Sequence, residues 1–178
     1  MIAEQLRSER FTRLISEPVY LSAWRYALRL CANREDAEDL LQESLSHAYA
    51  KLDQLKSEET VRGWVLSIIR SKFLRHRQRA KARQQTTDME VAEYSLVGTA
   101  DWAADPLSEL MSGALDRLPE SQREILVFFY IEGLSIAETG QVLAIAPQAV
   151  KQRLFRARAA LRRHMQPHLA MGDLAALL

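Results

Sequence analysis

Apolar residues at helical spacing are the feature that most constrains the fold of this chain. They recur along most of the sequence, whereas the alternating pattern of a half-buried strand is hard to find. A representative run is Leu40, Leu41, Leu45, Ala48 and Leu52. Residues spaced in this way share one face of a helix and can be buried together. The sequence therefore predicts an all-α fold.

A change of composition predicts that the helices form two small domains joined by a flexible linker. The sequence becomes polar and aperiodic between residues 80 and 104, and Pro106, Pro119 and several glycines follow this segment. We predict an N-terminal domain over residues 1–83, a linker over 84–104, a C-terminal domain over 105–166 and a tail over 167–178. In this interpretation Pro167 interrupts the last helix.

The composition of the chain excludes several classes of protein. With 178 residues, of which 48% are hydrophobic and 26% charged, the chain can bury a core. Its apolar runs, such as residues 125–131, are far shorter than the roughly 20 residues that cross a bilayer, and the N-terminus has no secretory pattern. A single cysteine, Cys31, excludes an internal disulfide. We expect a cytoplasmic protein without membrane insertion.

The candidate metal ligands and catalytic motifs are sparse. His164 and His168 are four residues apart, but no third ligand is near them in the sequence. The glycine spacing matches no phosphate loop or dinucleotide fingerprint, and no nucleophile elbow is present. We therefore expect no cofactor, no metal and no catalytic residues. Cys31 lies on an apolar, aromatic helix with Trp24 and Leu28, which is typical of a buried core residue.

The charges are segregated, although the formal net charge is only +1. Residues 60–87 and 147–172 contain many Lys and Arg but no Asp or Glu, and acidic residues concentrate in residues 35–43. Two basic faces and one acidic face indicate a chain that meets both nucleic acid and a protein partner. Charge alone leaves open the alternative of ordinary solvated helix faces.

Residues 135–161 have the pattern of a helix-turn-helix. Ser135 and Glu138 have the spacing of a capping box, which starts a short helix to about Leu143. After a brief connection, Pro147 is suited to begin a second helix. Its inward stripe would be Val150, Leu154, Ala157 and Leu161.

The opposite side of the second helix is a candidate surface for reading DNA. Gln148, Gln152 and Phe155 lie near its middle, with Lys151 and Arg156 beside them. Gln pairs with adenine edges, Arg and Lys pair with guanine, and Phe can touch a thymine methyl group. Residues better placed for phosphates are Arg153, Arg158 and Arg163. The alternative is an ordinary amphipathic helix in a bundle.

Two stretches of sequence carry a family resemblance. Leu118-Pro119, Arg123-Glu124, Glu132-Gly133-Leu134-Ser135 and the run from Val150 to Arg158 resemble the promoter-binding domain of extracytoplasmic-function (ECF) sigma factors, of the sigma-70 family. The run from Asn33 to Glu43, with Ala48-Tyr49, Leu52-Asp53 and Trp64, is similar to the core-binding domain of the same family. The resemblance implies a non-catalytic subunit that binds core RNA polymerase, at its clamp and flap regions, and directs transcription from specific promoters. It also implies an anti-sigma factor as a partner.

The resemblance assigns roles to residues of both stretches. Polymerase binding would fall to Asp39, Leu40, Gln42 and Glu43. Residues 54–64 would be the loop that captures an unstacked base of the minus-ten element, and the basic helix after it would hold the DNA strand; the residues implied are Lys56, Arg62, Arg70, Lys72 and Arg75. The minus-thirty-five element would be read by the helix that carries Lys151, Gln152, Phe155 and Arg156.

The sequence departs from the family pattern at several of these positions. The family usually has an aromatic residue near Val61 and an asparagine near Ser71, and both are absent here. Ala149 and Gln152 replace a threonine and a serine. Thr139-Gly140 replaces isoleucine-alanine, and the glycine costs a helix about 1 kcal/mol. Trp64, at helical spacing from Ile68, is more typical of a core residue than of a base-stacking platform. A free-standing helix-turn-helix regulator, which would normally dimerise, is the alternative function.

Overall fold

The computed structural model describes residues 2–31, 33–84 and 106–169. All elements within these ranges are helical, and no strand occurs among them. This confirms the predicted all-α class. The linker predicted over residues 84–104 lies outside the described residues except for Gln84, which ends α4. The tail residues beyond Leu169 also lie outside them.

The first compact unit contains four α-helices. They are α1 (Ile2–Leu14), α2 (Glu17–Leu30), α3 (Arg34–Ala50) and α4 (Val61–Gln84). Two short 3₁₀ turns, Leu52–Gln54 and Glu58–Thr60, connect α3 to α4. Asn33 starts α3, because its side-chain oxygen accepts a hydrogen bond of 2.8 Å from the Asp36 amide.

The core of the first unit combines small residues with large aliphatic and aromatic ones. Ala23, Ala27, Ala37 and Ala48 are fully buried, and such small side chains let helix backbones approach one another. The large buried side chains of this unit include Tyr26, Leu52, Val65, Leu66 and Ile69. α2, α3 and α4 all contact one another. The packing of α2, α3 and α4 against one another therefore fixes the position of α3 and of its exposed side.

The second compact unit contains α5 (Pro106–Asp116), α6 (Glu120–Leu126), α8 (Pro147–Leu169) and the first part of α7 (Ile136–Leu143). Residues Gln141–Ala144, which include the end of α7, belong to the first unit. A π-helical turn, Val127–Ile131, continues α6. The prediction that Pro167 interrupts the last helix is wrong, because α8 extends to Leu169. A proline removes one backbone donor, and the last helical turn tolerates this loss.

Side-chain and glycine caps end two helices of the second unit. Gly133 has a φ of 61° and lies directly after the helical run of α6 and the π turn, as its position in the sequence predicts. Arg123 donates hydrogen bonds to the carbonyl oxygens of Leu115, Asp116 and Leu118, at 2.9, 2.7 and 3.2 Å. The Leu115 and Asp116 carbonyls belong to the last turn of α5, where the final carbonyls of a helix have no partner within it, and Leu118 lies just beyond that helix. Arg123 therefore joins α6 to α5.

None of the helices in the described part of the chain is long and apolar enough to span a membrane.

Candidate nucleic-acid interface

The capping box predicted at the start of α7 is present. The Ser135 amide donates to the Glu138 carboxylate at 2.8 Å, and the Glu138 amide donates to the Ser135 hydroxyl at 3.2 Å. Each side chain satisfies one backbone amide that has no partner inside the helix. The start of α7 is thus fixed by its own sequence.

A tight turn joins α7 to α8. The Ile145 amide donates to the Gly140 carbonyl at 2.9 Å, and Ala144 adopts a φ of 53°, which is unusual for a residue other than glycine. A Cβ atom placed on Gly140 would lie 2.8 Å from the Ile145 carbonyl oxygen and 3.5 Å from the Val150 side chain. Gly140 thus allows the turn and the start of α8 to lie against α7.

α8 separates a buried stripe from an exposed face, as predicted. Val150 and Ala157 are fully buried, and Leu154 is 2% exposed. The residues that the sequence assigns to base reading lie on the exposed side. We call this set the reading face; it consists of Gln148, Lys151, Gln152, Phe155 and Arg156. The Phe155 side chain is 74% exposed although it is large and apolar. An apolar ring surrounded by amide and cationic side chains has the chemistry needed to contact base edges in a major groove.

The three arginines predicted to bind phosphates have different surroundings. Arg153 and Arg163 are exposed on α8. The Arg158 guanidinium lies over the rings of Phe129 and Tyr130, 5.9 and 5.6 Å from their centroids. Cation–π contacts of this kind orient a guanidinium. Arg158 is therefore held against the π turn that continues α6.

The four residues predicted to bind polymerase do not all lie at the surface of α3. Asp39 and Gln42 are exposed and Glu43 is half-buried. Leu40, by contrast, is 2% exposed and belongs to the core. Its assignment to a binding surface is therefore corrected: Leu40 anchors α3 in the unit. The predicted surface reduces to the three polar residues.

Two shallow grooves run along α3 on either side of Gln42. One, of 690 Å³, lies between α3 and α4 and includes Asp39 and Phe73 in its lining. The other, of 430 Å³, lies between α2 and α3 and has an apolar floor that includes Trp24 and Leu45. Polar residues beside apolar grooves are suited to bind another protein.

Glu43 links the predicted polymerase surface to the basic helix α4. Its carboxylate lies 2.7 Å from the Lys72 ammonium and 2.9 Å from Nε2 of His76. The hydrogen bond from Lys72 is the main cause that lowers the pKa of the Glu43 carboxyl below its usual value. Lys72, predicted to bind DNA, is thus engaged by an acid of α3, and its side chain is only 18% exposed.

The other cations predicted to hold the minus-ten strand are distributed along the first unit. Arg75 is exposed on α4, and Lys56 is exposed between the two 3₁₀ turns. Arg62 and Arg70 are half-buried and interact with other groups of the protein. Of the five cations predicted to hold the strand, only Arg75 and Lys56 are exposed.

The predicted base-capturing loop is shorter in the structure than in the sequence interpretation. α4 already begins at Val61, which is 8% exposed, so residues 61–64 are helical. Leu55, also 8% exposed, anchors the other end of the loop. We call the exposed residues between these anchors the tip; it consists of Lys56, Ser57, Glu58 and Glu59. Trp64 is half-buried on the first turn of α4.

Cys31 lies at the end of α2 and is partly buried. Burial is the main cause that raises the pKa of its thiol to about 11, and Asp36 contributes. At neutral pH the thiol is therefore protonated and weakly nucleophilic. In the three described ranges, no cluster of three or more His, Cys, Asp or Glu residues has the arrangement of a metal site.

The sequence interpretation did not identify the arginines of α1. Arg7 pairs with a carbonyl at the end of α3 and with Asp53, and Arg10 and Arg13 pair with Glu58 in the segment between α3 and α4. These three arginines are spaced by three residues, so they lie along one side of a helix, and this pattern can be recognised in the sequence. Their partners lie more than 40 residues away, and nothing local in the sequence indicates them.

Two family models match the chain, one in each unit. Residues 18–83 match the model described as Sigma-70 region 2. Residues 108–161 match the model described as Sigma-70, region 4. The ECF RNA polymerase sigma factor SigL of Mycobacterium tuberculosis is 32% identical over 147 residues, which cover 80% of this chain and 82% of the relative. The chain belongs to the ECF sigma factors.

Other ECF sigma factors show similar agreement. EcfG of Rhodopseudomonas palustris is 29% identical over 140 residues, which cover 76% of this chain and 75% of the relative. Among solved structures, the sigma factor RpoE of Bartonella quintana, in complex with the anti-sigma factor NepR, has a TM-score of 0.68 at 25% identity. The match covers 83% of this chain and 92% of RpoE. CnrH, at 24% identity and a TM-score of 0.61, shares the fold. Members of this family are non-catalytic subunits that direct RNA polymerase to promoters.

Proposed function

We propose that this ECF sigma factor binds core RNA polymerase through the exposed surface of α3 and reads the upstream promoter element through the reading face of α8. The α3 surface comprises Asp39, Gln42 and Glu43, beside two grooves that a partner helix of the polymerase clamp could enter. The acidic side chains suit a basic partner. A second polymerase contact, at the flap region, falls to the C-terminal unit.

The observation that carries this proposal is the exposure of the reading face. Phe155 and its polar neighbours are exposed, while the adjacent stripe of the same helix is buried. The Phe155 ring, 74% exposed, lies on one face of α8 with exposed amide and cationic side chains, and this combination is suited to contact with base edges. Contact with a thymine methyl group gives that ring a role.

The tip and α4 would contact the downstream, minus-ten element. Lys56 and Arg75 present exposed cations, and Arg62 and Arg70 add positive charge along the same helix region. Cationic grooves hold single-stranded DNA through its phosphates. Lys72 contributes in a different way, because its ion pair with Glu43 ties α4 to the polymerase-binding helix.

An anti-sigma factor is the second protein partner that we infer. The RpoE structure that this chain resembles is a complex with such a protein. The exposed apolar groove between α2 and α3 offers a surface that an inhibitor could occupy in competition with polymerase. We place the protein in the bacterial cytoplasm, where polymerase and promoter DNA are found.

A transcription assay with purified components tests the proposal. The chain is mixed with core RNA polymerase and fragments of genomic DNA, and the starts of the run-off transcripts are mapped. We expect transcripts that begin at a small set of positions sharing two upstream sequence elements, and none with core enzyme alone. Failure to form a complex with core enzyme, or a lack of promoter-directed transcripts, would overturn the assignment. A dimer that binds a palindromic site without polymerase would support the free-standing regulator instead.

A further inference from the structure

The N-terminal helix α1 is attached to the end of α3 through Arg7. Its guanidinium donates to the carbonyl oxygens of Tyr49 and Ala50 at 3.0 and 3.2 Å, and it pairs with the Asp53 carboxylate at 3.0 Å. The last carbonyls of a helix have no partner within that helix. Arg7 thus caps α3 and holds the first 3₁₀ turn of the connection. α1 lies outside residues 18–83, which match the family model.

Ring contacts align α1 with this attachment point. The Phe11 ring packs edge-on against the Tyr49 ring, with centroids 5.2 Å apart, and the Arg7 guanidinium lies 5.5 Å from the centre of the same ring. The Tyr49 hydroxyl also donates a hydrogen bond to Glu4. Three residues of α1 therefore converge on one side chain of α3, which fixes the position of the helix along its length.

Further along α1, two arginines converge on the tip. Arg10 Nε lies 3.1 Å and an Arg13 amino group 3.4 Å from the same oxygen of Glu58. Glu58 begins the second 3₁₀ turn, where Thr60 donates from its amide and its hydroxyl to the Ser57 carbonyl. Arg10 and Arg13 of α1 thus contact the tip at the first residue of the second 3₁₀ turn.

The negative charge of Glu58 disfavours the contact with DNA that we propose for the tip. The tip carries Glu58 and Glu59 but only one cation, Lys56. A carboxylate close to DNA phosphates repels them, and this repulsion weakens binding. Two guanidinium groups on one carboxylate oxygen offset its charge and direct the side chain toward α1. The pairs are partly exposed, so their effect lies in local charge and orientation more than in overall stability.

We propose that α1 is a brace for the minus-ten loop, in which Arg10 and Arg13 position Glu58 and neutralise its charge so that the tip can accept a DNA strand. Arg10 and Arg13 are positioning residues, because they act through Glu58. This inference rests on the proposed function, in which the tip meets the strand.

The test compares promoter opening by holoenzymes that contain the full chain. The variant Arg10→Ala/Arg13→Ala is assembled with core polymerase on the promoter mapped by run-off transcription, and open complexes are detected by permanganate reactivity of unpaired thymines. We expect about tenfold less opening at moderate salt, with affinity for core enzyme unchanged. The control Arg25→Ala/Lys51→Ala removes the same charge from exposed positions of the first unit and should leave opening within about twofold of the wild type.

A rescue experiment separates the brace from a general loss of positive charge. Adding Glu58→Gln to the double variant removes the uncompensated carboxylate and should restore most of the opening. Adding Glu17→Gln, which removes an exposed acid of α2, should not. Equal rescue by both substitutions, or wild-type opening by Arg10→Ala/Arg13→Ala, would overturn the inference.

Failure of the inference can be distinguished from failure of the proposed function. If the wild-type holoenzyme opens the promoter and the arginine variant opens it equally well, only the brace is wrong. If the wild-type chain supports no opening with core enzyme, the proposed function itself fails. Circular dichroism of the arginine variant checks that α1 to α4 remain folded; a variant that opens poorly and has lost helicity would count against a role confined to the tip.

Discussion

At the scale of single residues, Gly140 determines how α7 meets the turn before α8. The family pattern has alanine at this position, and propensity alone would favour it by about 1 kcal/mol. The structure shows why glycine is required in this chain, since a Cβ would lie 2.8 Å from the Ile145 carbonyl oxygen. The sequence shows that glycine replaces the alanine of the family. It does not show that glycine leaves room for the Ile145 carbonyl, because that contact depends on the path of the turn.

Gly140→Ala should therefore destabilise the protein. Overpacking against a backbone atom costs about 1–3 kcal/mol, which exceeds the gain in helix propensity. The matched control is Gly113→Ala in α5, where an added Cβ would meet nothing within 4 Å. That substitution should stabilise by about 0.5–1 kcal/mol. Urea unfolding followed by circular dichroism gives both values, and stabilisation by Gly140→Ala would contradict the close approach.

Thr139, beside Gly140, is a second departure from the family pattern. Its side chain is fully buried, and its hydroxyl oxygen has no hydrogen-bond partner among the residues that the structure describes. An unpaired buried hydroxyl costs about 1–3 kcal/mol, whereas a methyl group of the same size does not. A sequence cannot reveal this cost, because it depends on which groups surround the hydroxyl.

Thr139→Val should raise the free energy of unfolding by about 1 kcal/mol. Thr60→Val is the control, because the Thr60 hydroxyl donates to the Ser57 carbonyl at 2.9 Å. Losing that exposed hydrogen bond should lower stability by about 0.5 kcal/mol. Chemical denaturation of the two variants measures the difference, and a loss of stability in both would show that the Thr139 hydroxyl has a partner.

At the scale of helices, α7 and α8 were predictable because their signals are local. The capping box, Gly133, Pro147 and the stripe from Val150 lie within one short segment and need no distant partner. The start of α4 at Val61 and the attachment of α1 were not predictable. Both depend on contacts between residues far apart in the sequence, such as Arg10 with Glu58.

The ion pair between Glu43 and Lys72 joins α3 to α4 and should depend on pH. Folding lowers the pKa of the Glu43 carboxyl below its usual 4.5, mainly through Lys72. The stabilisation is therefore fully present above about pH 4.5 and is lost as the pH falls through the lower, folded value. A double-mutant cycle with Glu43→Gln and Lys72→Met should give a coupling of about 0.5–1 kcal/mol at pH 7, and this coupling should shrink as the pH falls below the folded pKa of Glu43. A coupling that grew on acidification would contradict this assignment.

At the scale of the whole molecule, the chain consists of two helical units that present different surfaces. The first presents α3 and the tip, and the second presents the reading face of α8. The sequence predicted the all-α class and the sigma-factor family, because both units carry motifs in the family order. Leu40 was assigned to polymerase binding by the family resemblance, although its helical spacing with Leu41 and Ala48 places it on the apolar stripe of α3, and the structure buries that stripe.

The division of labour between the units is tested most directly by one comparison of two variants. Arg156→Ala changes the reading face, and Asp39→Ala/Gln42→Ala changes the α3 surface. Each is measured for affinity to core polymerase, by fluorescence anisotropy, and for transcript yield from the mapped promoter when core polymerase is saturated with the variant.

Arg156→Ala should lower the yield by about tenfold, the loss of one good base contact, with core affinity unchanged. Asp39→Ala/Gln42→Ala should weaken core binding, but it should give the wild-type transcript yield once core polymerase is saturated with the variant. If Arg156→Ala weakened core binding as much as it lowered the transcript yield, the assignment of promoter reading and polymerase binding to separate surfaces would be contradicted.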